Sequence, residues 1–143
     1  MCMTISFNKA DATATLKNRV ALKSFIEKRV KKEGLSIESL NYVFCSDKYL
    51  LEINKQFLGH NYYTDIISFD LSEVSGQLIG EVYISVDRVK DNAKTHGASF
   101  TEELLRVIFH GALHFCGYKD KKPSDSKKMR QMEDLWLTAY MKL

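Results

Sequence analysis

The sequence predicts an α+β fold, a small mixed sheet of about four strands packed with about five helices. Three observations predict it. Apolar residues alternate or run continuously in four short segments rich in Val, Ile, Phe and Tyr, which is strand patterning. They recur at helical spacing in five others. The order is strand, helix, strand, helix, two strands, then helices, which suits a sheet with helices laid on it.

Taken in order, Thr4 to Phe7 alternates and reads as a strand. Leu16, Val20, Ala21, Phe25, Ile26 and Val30 give a helix from about Leu16 to Glu33, stopped at Gly34. Its other face carries Lys17, Arg19, Lys23, Lys28, Arg29, Lys31 and Lys32, a solvated face or an electrostatic footprint for phosphates. Leu40 to Cys45 is a strand, and Asp47 is placed to cap a helix from about Lys48 to Phe57. Thr64 to Leu71 and Leu78 to Val86 read as antiparallel neighbours joined through Ser75-Gly76. A helix from Asp87 ends near Gly97, and Ser99-Phe100-Thr101-Glu102 is a capping box that starts the next. Pro123 and Ser124 open a last helix with Met129, Met132, Leu135, Trp136 and Leu137 on its apolar face.

Composition narrows the class. With 143 residues, one domain over 1–143 is expected, large enough to bury its own core. No apolar run approaches a membrane span, and Met1 to Ala14 lacks the pattern of a secretory signal. Cys2, Cys45 and Cys116 are odd in number and widely spaced, which predicts reduced thiols and a cytoplasmic setting. The net charge of +3 permits nucleic-acid binding without demanding it.

The chemistry concentrates between Phe109 and Asp120. His110 and His114 stand four residues apart in an apolar helix, so both imidazoles lie on one face, one turn apart, able to grip one cation. Gly117 offers the helix stop, and the chain can then return Asp120 to the two rings. Two histidines and a carboxylate leave a fourth position open, the pattern of a catalytic rather than a structural zinc. Gly111 stands where a His-Glu-x-x-His peptidase carries its glutamate, which argues against peptide hydrolysis by that route.

His110 to Asp120 resembles the signature of the YbeY-type endoribonucleases, His-Gly-x-Leu-His-Leu-x-Gly-Tyr-Asp-His. Thr64-Asp65-Ile66-Ile67-Ser68-Phe69 is similar to that family's Thr-Asp-Val-Leu-Ser-Phe, with Asn54 ten residues upstream. Ile79 to Ser85 is similar to its Leu-Gly-Asp-Ile-x-Ile strand. The resemblance implies a zincin-like metal helix in a metal-dependent endoribonuclease specific for single strands. It implies action in rRNA maturation and ribosome quality control, with rRNA and the small ribosomal subunit as partners and neither DNA nor membrane. One Zn2+ per chain is implied, with His110 and His114 as ligands and Asp120 at the position of the family's third histidine. An oxygen ligand there also admits other divalent metals.

Leu58 stands where the family usually has an arginine for catalysis or RNA contact. Arg106, Tyr118 and Lys119 are candidates for catalytic roles, and Lys121 and Lys122 for RNA contact. Asp65 and Ser68 are strand-end residues open to either a cleft role or plain packing. Two alternatives to the nuclease stay open: a metal-dependent hydrolase of another substrate such as a peptide, and a non-catalytic ribosome-associated module whose metal braces the Gly117 loop.

Overall fold

The computed structural model describes residues 4–143. Cys2 lies outside the described residues. The chain runs β1 (Thr4–Lys9), α1 (Arg19–Lys32), β2 (Ser36–Cys45), α2 (Asp47–Leu58), β3 (Ile66–Asp70), β4 (Gln77–Ser85), α3 (Val86–His96), α4 (Phe100–Phe115) and α5 (Pro123–Met141). The sheet order is β1-β2-β4-β3. β1, β2 and β4 are mutually parallel, and β3 pairs antiparallel with β4 through Ile66–Ile84 and Ile67–Tyr83. The α+β architecture and the antiparallel β3–β4 pair are those expected from the sequence.

Strand alternation divides the core. Leu40, Tyr42 and Phe44 of β2 join Leu78, Val82 and Ile84 of β4 in the larger cluster, completed by α1, α3, α4 and α5. Cys45 and Ile67 meet Leu50 of α2 in a smaller cluster. The buried Tyr42 hydroxyl donates to the Ile108 carbonyl at 3.0 Å, which ties the middle of α4 to β2.

Two glycines set how closely α4 lies on the sheet. A Cβ at Gly111 would stand 3.1 Å from Ile66 Cδ1 and 3.2 Å from Val82 Cγ1; one at Gly80 would stand 2.8 Å from Phe115 Cζ. Larger residues would lift the helix off β3 and β4. As built, α4 carries its histidines to the edge of the sheet where β3 begins.

The element ends differ from the sequence reading in instructive ways. Helix α1 begins at Arg19, its cap the Asn18 side chain, which accepts from the Ala21 amide. Val20 is 81% exposed, and the buried stripe is Leu22, Phe25, Ile26 and Val30. β2 starts four residues earlier than expected, where polar Ser36, Glu38 and Ser39 and a register shift hide the alternation. Ser46, not Asp47, caps α2, and α3 begins at Val86, capped by Ser85; each hydroxyl accepts a backbone N–H three residues on. Asp47 instead receives the Ser85 hydroxyl at 2.7 Å and the Arg88 guanidinium at 2.7 Å. Ser99 accepts from the Glu102 amide at 3.1 Å at the start of α4, as the capping box requires. On α5, Leu135 is 50% exposed, and its place in the buried stripe is taken by Glu133.

Candidate metal centre

Helix α4 sets His110 and His114 side by side, ring centroids 4.6 Å apart and planes at 80°. The helix then stops as Gly117 predicts. Gly117 takes φ 101°, its amide donates to the His114 carbonyl at 3.0 Å, and the Tyr118 amide donates to Leu113 at 3.2 Å. That pair of bonds is a Schellman turn, which reverses the chain and satisfies the last carbonyls. Asp120 comes back on the returning loop. Its Oδ2 lies 3.1 Å from His110 Nε2 and 3.2 Å from His114 Nε2.

These three donor atoms lie within 4.8 Å of one another. Ligands held at zinc distances of 2.0–2.1 Å on a tetrahedron stand about 3.3 Å apart, so the carboxylate-to-imidazole spacings fit one ion between them. The donor chemistry also fits. A carboxylate oxygen facing two imidazole nitrogens needs protons or a cation among them.

A residue outside the sequence candidates completes the arrangement. Glu133 of α5, 5% exposed, accepts from His110 Nδ1 at 2.6 Å. The carboxylate can only accept, so Nδ1 carries the hydrogen and Nε2 is the atom turned toward Asp120. Arg106 holds the other Glu133 oxygen at 3.1 Å and Asp134 at 2.8 Å. The signal for Glu133 was present in the sequence: it falls at helical spacing within the stripe of Met129, Trp136, Leu137 and Tyr140, where a charge needs a buried partner.

Electrostatics separate the two histidines in the metal-free protein. Burial opposes the charged form of His110, but the bond and charge of Glu133, helped by Asp65 and Asp120, outweigh it and raise its pKa. Burial and the neighbouring His110 lower that of His114, against the pull of Asp120. Asp65 is pushed upward by burial, partly countered by His110.

His110, His114 and Asp120 open onto a cleft of about 630 Å³. Asp65, Ser68, Leu58, His60, Tyr62 and Lys121 also line it. The His60 and Tyr62 rings stack at 5.1 Å, and the Tyr62 hydroxyl lies 2.9 Å from His60 Nδ1. The buried Asn54 steadies this loop, donating from its side chain to the Tyr62 carbonyl at 2.9 Å and accepting the His60 amide at its own carbonyl.

The remaining candidates are placed elsewhere. Arg106 is spent on Glu133 and Asp134 rather than turned to the cleft, because its stripe faces α5. The Tyr118 hydroxyl donates to Glu33 at 2.9 Å, a contact to the end of α1. Lys119 and Lys122 are exposed on the loop outside the cleft lining, which Lys121 alone of the three reaches. None of the basic residues of α1 lines the cleft.

The chain matches the family model described as Endoribonuclease YbeY over residues 4–141. It is 49% identical over 135 residues to Endoribonuclease YbeY of Cytophaga hutchinsonii, covering 94% of each chain. It is 44% identical to that of Flavobacterium johnsoniae, covering 91% of this chain and 92% of the relative. Among solved structures, the solution structure of TM1509 from Thermotoga maritima is similar, with a TM-score of 0.61 and 29% identity over 95% of this chain and 88% of that one.

Proposed function

Because the chain belongs to the Endoribonuclease YbeY family, we propose that it is a metal-dependent endoribonuclease that hydrolyses single-stranded RNA in rRNA maturation and ribosome quality control. The observation that carries this reading is the convergence of His110, His114 and Asp120 on one point of an open cleft. Zn2+ is the cation the donor set suits best, and the Asp120 oxygen in place of a third imidazole admits other divalent ions. A divalent cation bound there supplies a Lewis acid and a more acidic water.

The protein's own residues supply the rest. His110 and His114 present Nε2 from a helix that lies close on the sheet, because Gly111 and Gly80 leave no side chain between them. Asp65 lines the same cleft, where burial pushes its pKa upward in the absence of a cation, and it is the buried carboxyl placed there for proton transfer at the reacting oxygens. Lys121 is the cationic side chain of the cleft lining and takes the phosphate role that Leu58 cannot fill. The exposed His60–Tyr62 pair offers a stacking face to an unpaired base, a feature single-stranded RNA can use and a paired helix cannot. The family match over 4–141 supports reading residues 1–143 as one catalytic domain, working on rRNA and the small ribosomal subunit in the cytoplasm.

Peptide hydrolysis finds no support in the geometry. The residue after His110 is a glycine packed against Ile66 and Val82, with no room for the glutamate such a reaction needs. The test is metal analysis and cleavage of a single-stranded RNA oligomer by purified protein, wild type beside His114→Ala. One divalent metal per wild-type chain is expected, with cleavage lost in a variant that still melts cooperatively. RNA bound but uncut by wild type at full metal loading would favour the non-catalytic module instead.

A further inference from the structure

We propose that Glu133 is a positioning residue for the metal centre, fixing the tautomer and orientation of His110 from the C-terminal helix α5, with Arg106 as the clamp that holds Glu133 in place. The inference rests on reading His110, His114 and Asp120 as the metal ligands.

Both oxygens of Glu133 are committed. One accepts from His110 Nδ1 at 2.6 Å; the other accepts from Arg106 Nη1 at 3.1 Å. A carboxylate held at both ends cannot rotate, so the imidazole that donates to it cannot rotate either. Nε2 is thereby aimed at Asp120 Oδ2 before any cation arrives. The negative charge at Nδ1–H also makes Nε2 a stronger donor to a cation, the usual consequence of a carboxylate behind a ligating histidine.

Arg106 is needed because Glu133 is buried and a bare carboxylate there would be costly. It lies one turn before His110 on α4, so a single helix face presents both partners of Glu133 to α5. Its second arm rests on Asp134 at 2.8 Å. The arrangement explains why an arginine so near the site is not available to a phosphate. It also explains why a glutamate occupies a position that the apolar stripe of α5 would otherwise give to a hydrophobic residue.

The test measures Zn2+ affinity by chelator competition and the visible spectrum of the Co2+ form. The proteins are wild type, Glu133→Ala and Glu133→Gln, with melting of each metal-free protein alongside. Loss of the outer carboxylate is expected to weaken metal binding by about 10–100-fold in Glu133→Ala. Glu133→Gln keeps an acceptor for Nδ1–H without the charge, so it should recover part of that loss. The Co2+ spectrum should shift in both variants, a signature that a helix-packing role alone would not move. If Glu133→Ala does not fold, the Gln variant decides: several-fold weaker binding with a shifted spectrum supports the assignment. Wild-type affinity and an unchanged Co2+ spectrum in Glu133→Gln overturn it. Failure of the wild-type protein to bind metal would instead remove the ligand set on which the inference stands, and is told apart because wild type itself then shows no Co2+ spectrum.

Discussion

Asp65 shows what a buried carboxyl in the cleft lining costs the fold. Burial raises its pKa above the ordinary value of 3.8, so the folded chain without a cation favours the neutral acid more than the unfolded chain does. The stabilising effect of that proton is present below 3.8 and is lost as pH rises through the folded value, leaving a costly carboxylate at neutral pH. Asp65→Asn should therefore raise the melting temperature of the metal-free protein at pH 7, with the gain narrowing as pH falls toward 3.8. A gain that stays constant across that range would show that the carboxyl is not held neutral by the fold. The same variant should lower RNA cleavage by about 100-fold or more, the usual contribution of a proton-transfer group, while metal loading is kept. Unchanged turnover would exclude Asp65 from proton transfer.

At the scale of the element, α4 combines two demands. One face must lie close enough to β3 and β4 to hold the cleft in shape, and the next must present two imidazoles. Gly111 answers the first by leaving only 3.1 Å between its Cβ direction and Ile66. Gly111→Glu, which would recreate the peptidase pattern, should destabilise the protein by about 3 kcal/mol or more, since it adds volume and an unpaired charge to a packed interface. Chemical denaturation would measure this, and a peptide-turnover assay should remain blank. A variant as stable as wild type would mean that α4 can rise off the sheet without cost.

At the scale of the molecule, the three donor groups come from α4 and the loop after it, while the group that orients one of them comes from α5. A bound cation would therefore brace α4 and the loop after it and, through Glu133, the following helix α5. Saturating Zn2+ at about 100 times its dissociation constant should stabilise the fold by about 2.7 kcal/mol, a rise of roughly 8 °C in melting temperature, reversed by chelation. An equal rise in Asp120→Ala would dissociate Asp120 from the ion, and no rise in the wild type would remove the ion from the site altogether.

The features legible from residue order alone are local. The four-residue spacing of His110 and His114, the stop at Gly117 and the return of Asp120 all lie within eleven positions, and helix period and glycine dihedral freedom suffice to bring them together. The order of strands and helices was legible for the same reason, since each announces itself by its own periodicity. The cap of α2 is not legible where two polar residues stand in a row, because Ser46 and Asp47 compete for one position and only backbone direction chooses. The tertiary structure alone decided what depends on which helix face meets which. It set Glu133 against His110 across 23 residues and turned Arg106 from the cleft to α5. It also lined the cleft with Asp65 and Lys121 but not Lys119. No local preference encodes such pairings, because they follow from the packing register between elements, and that register exists only once the whole core has closed.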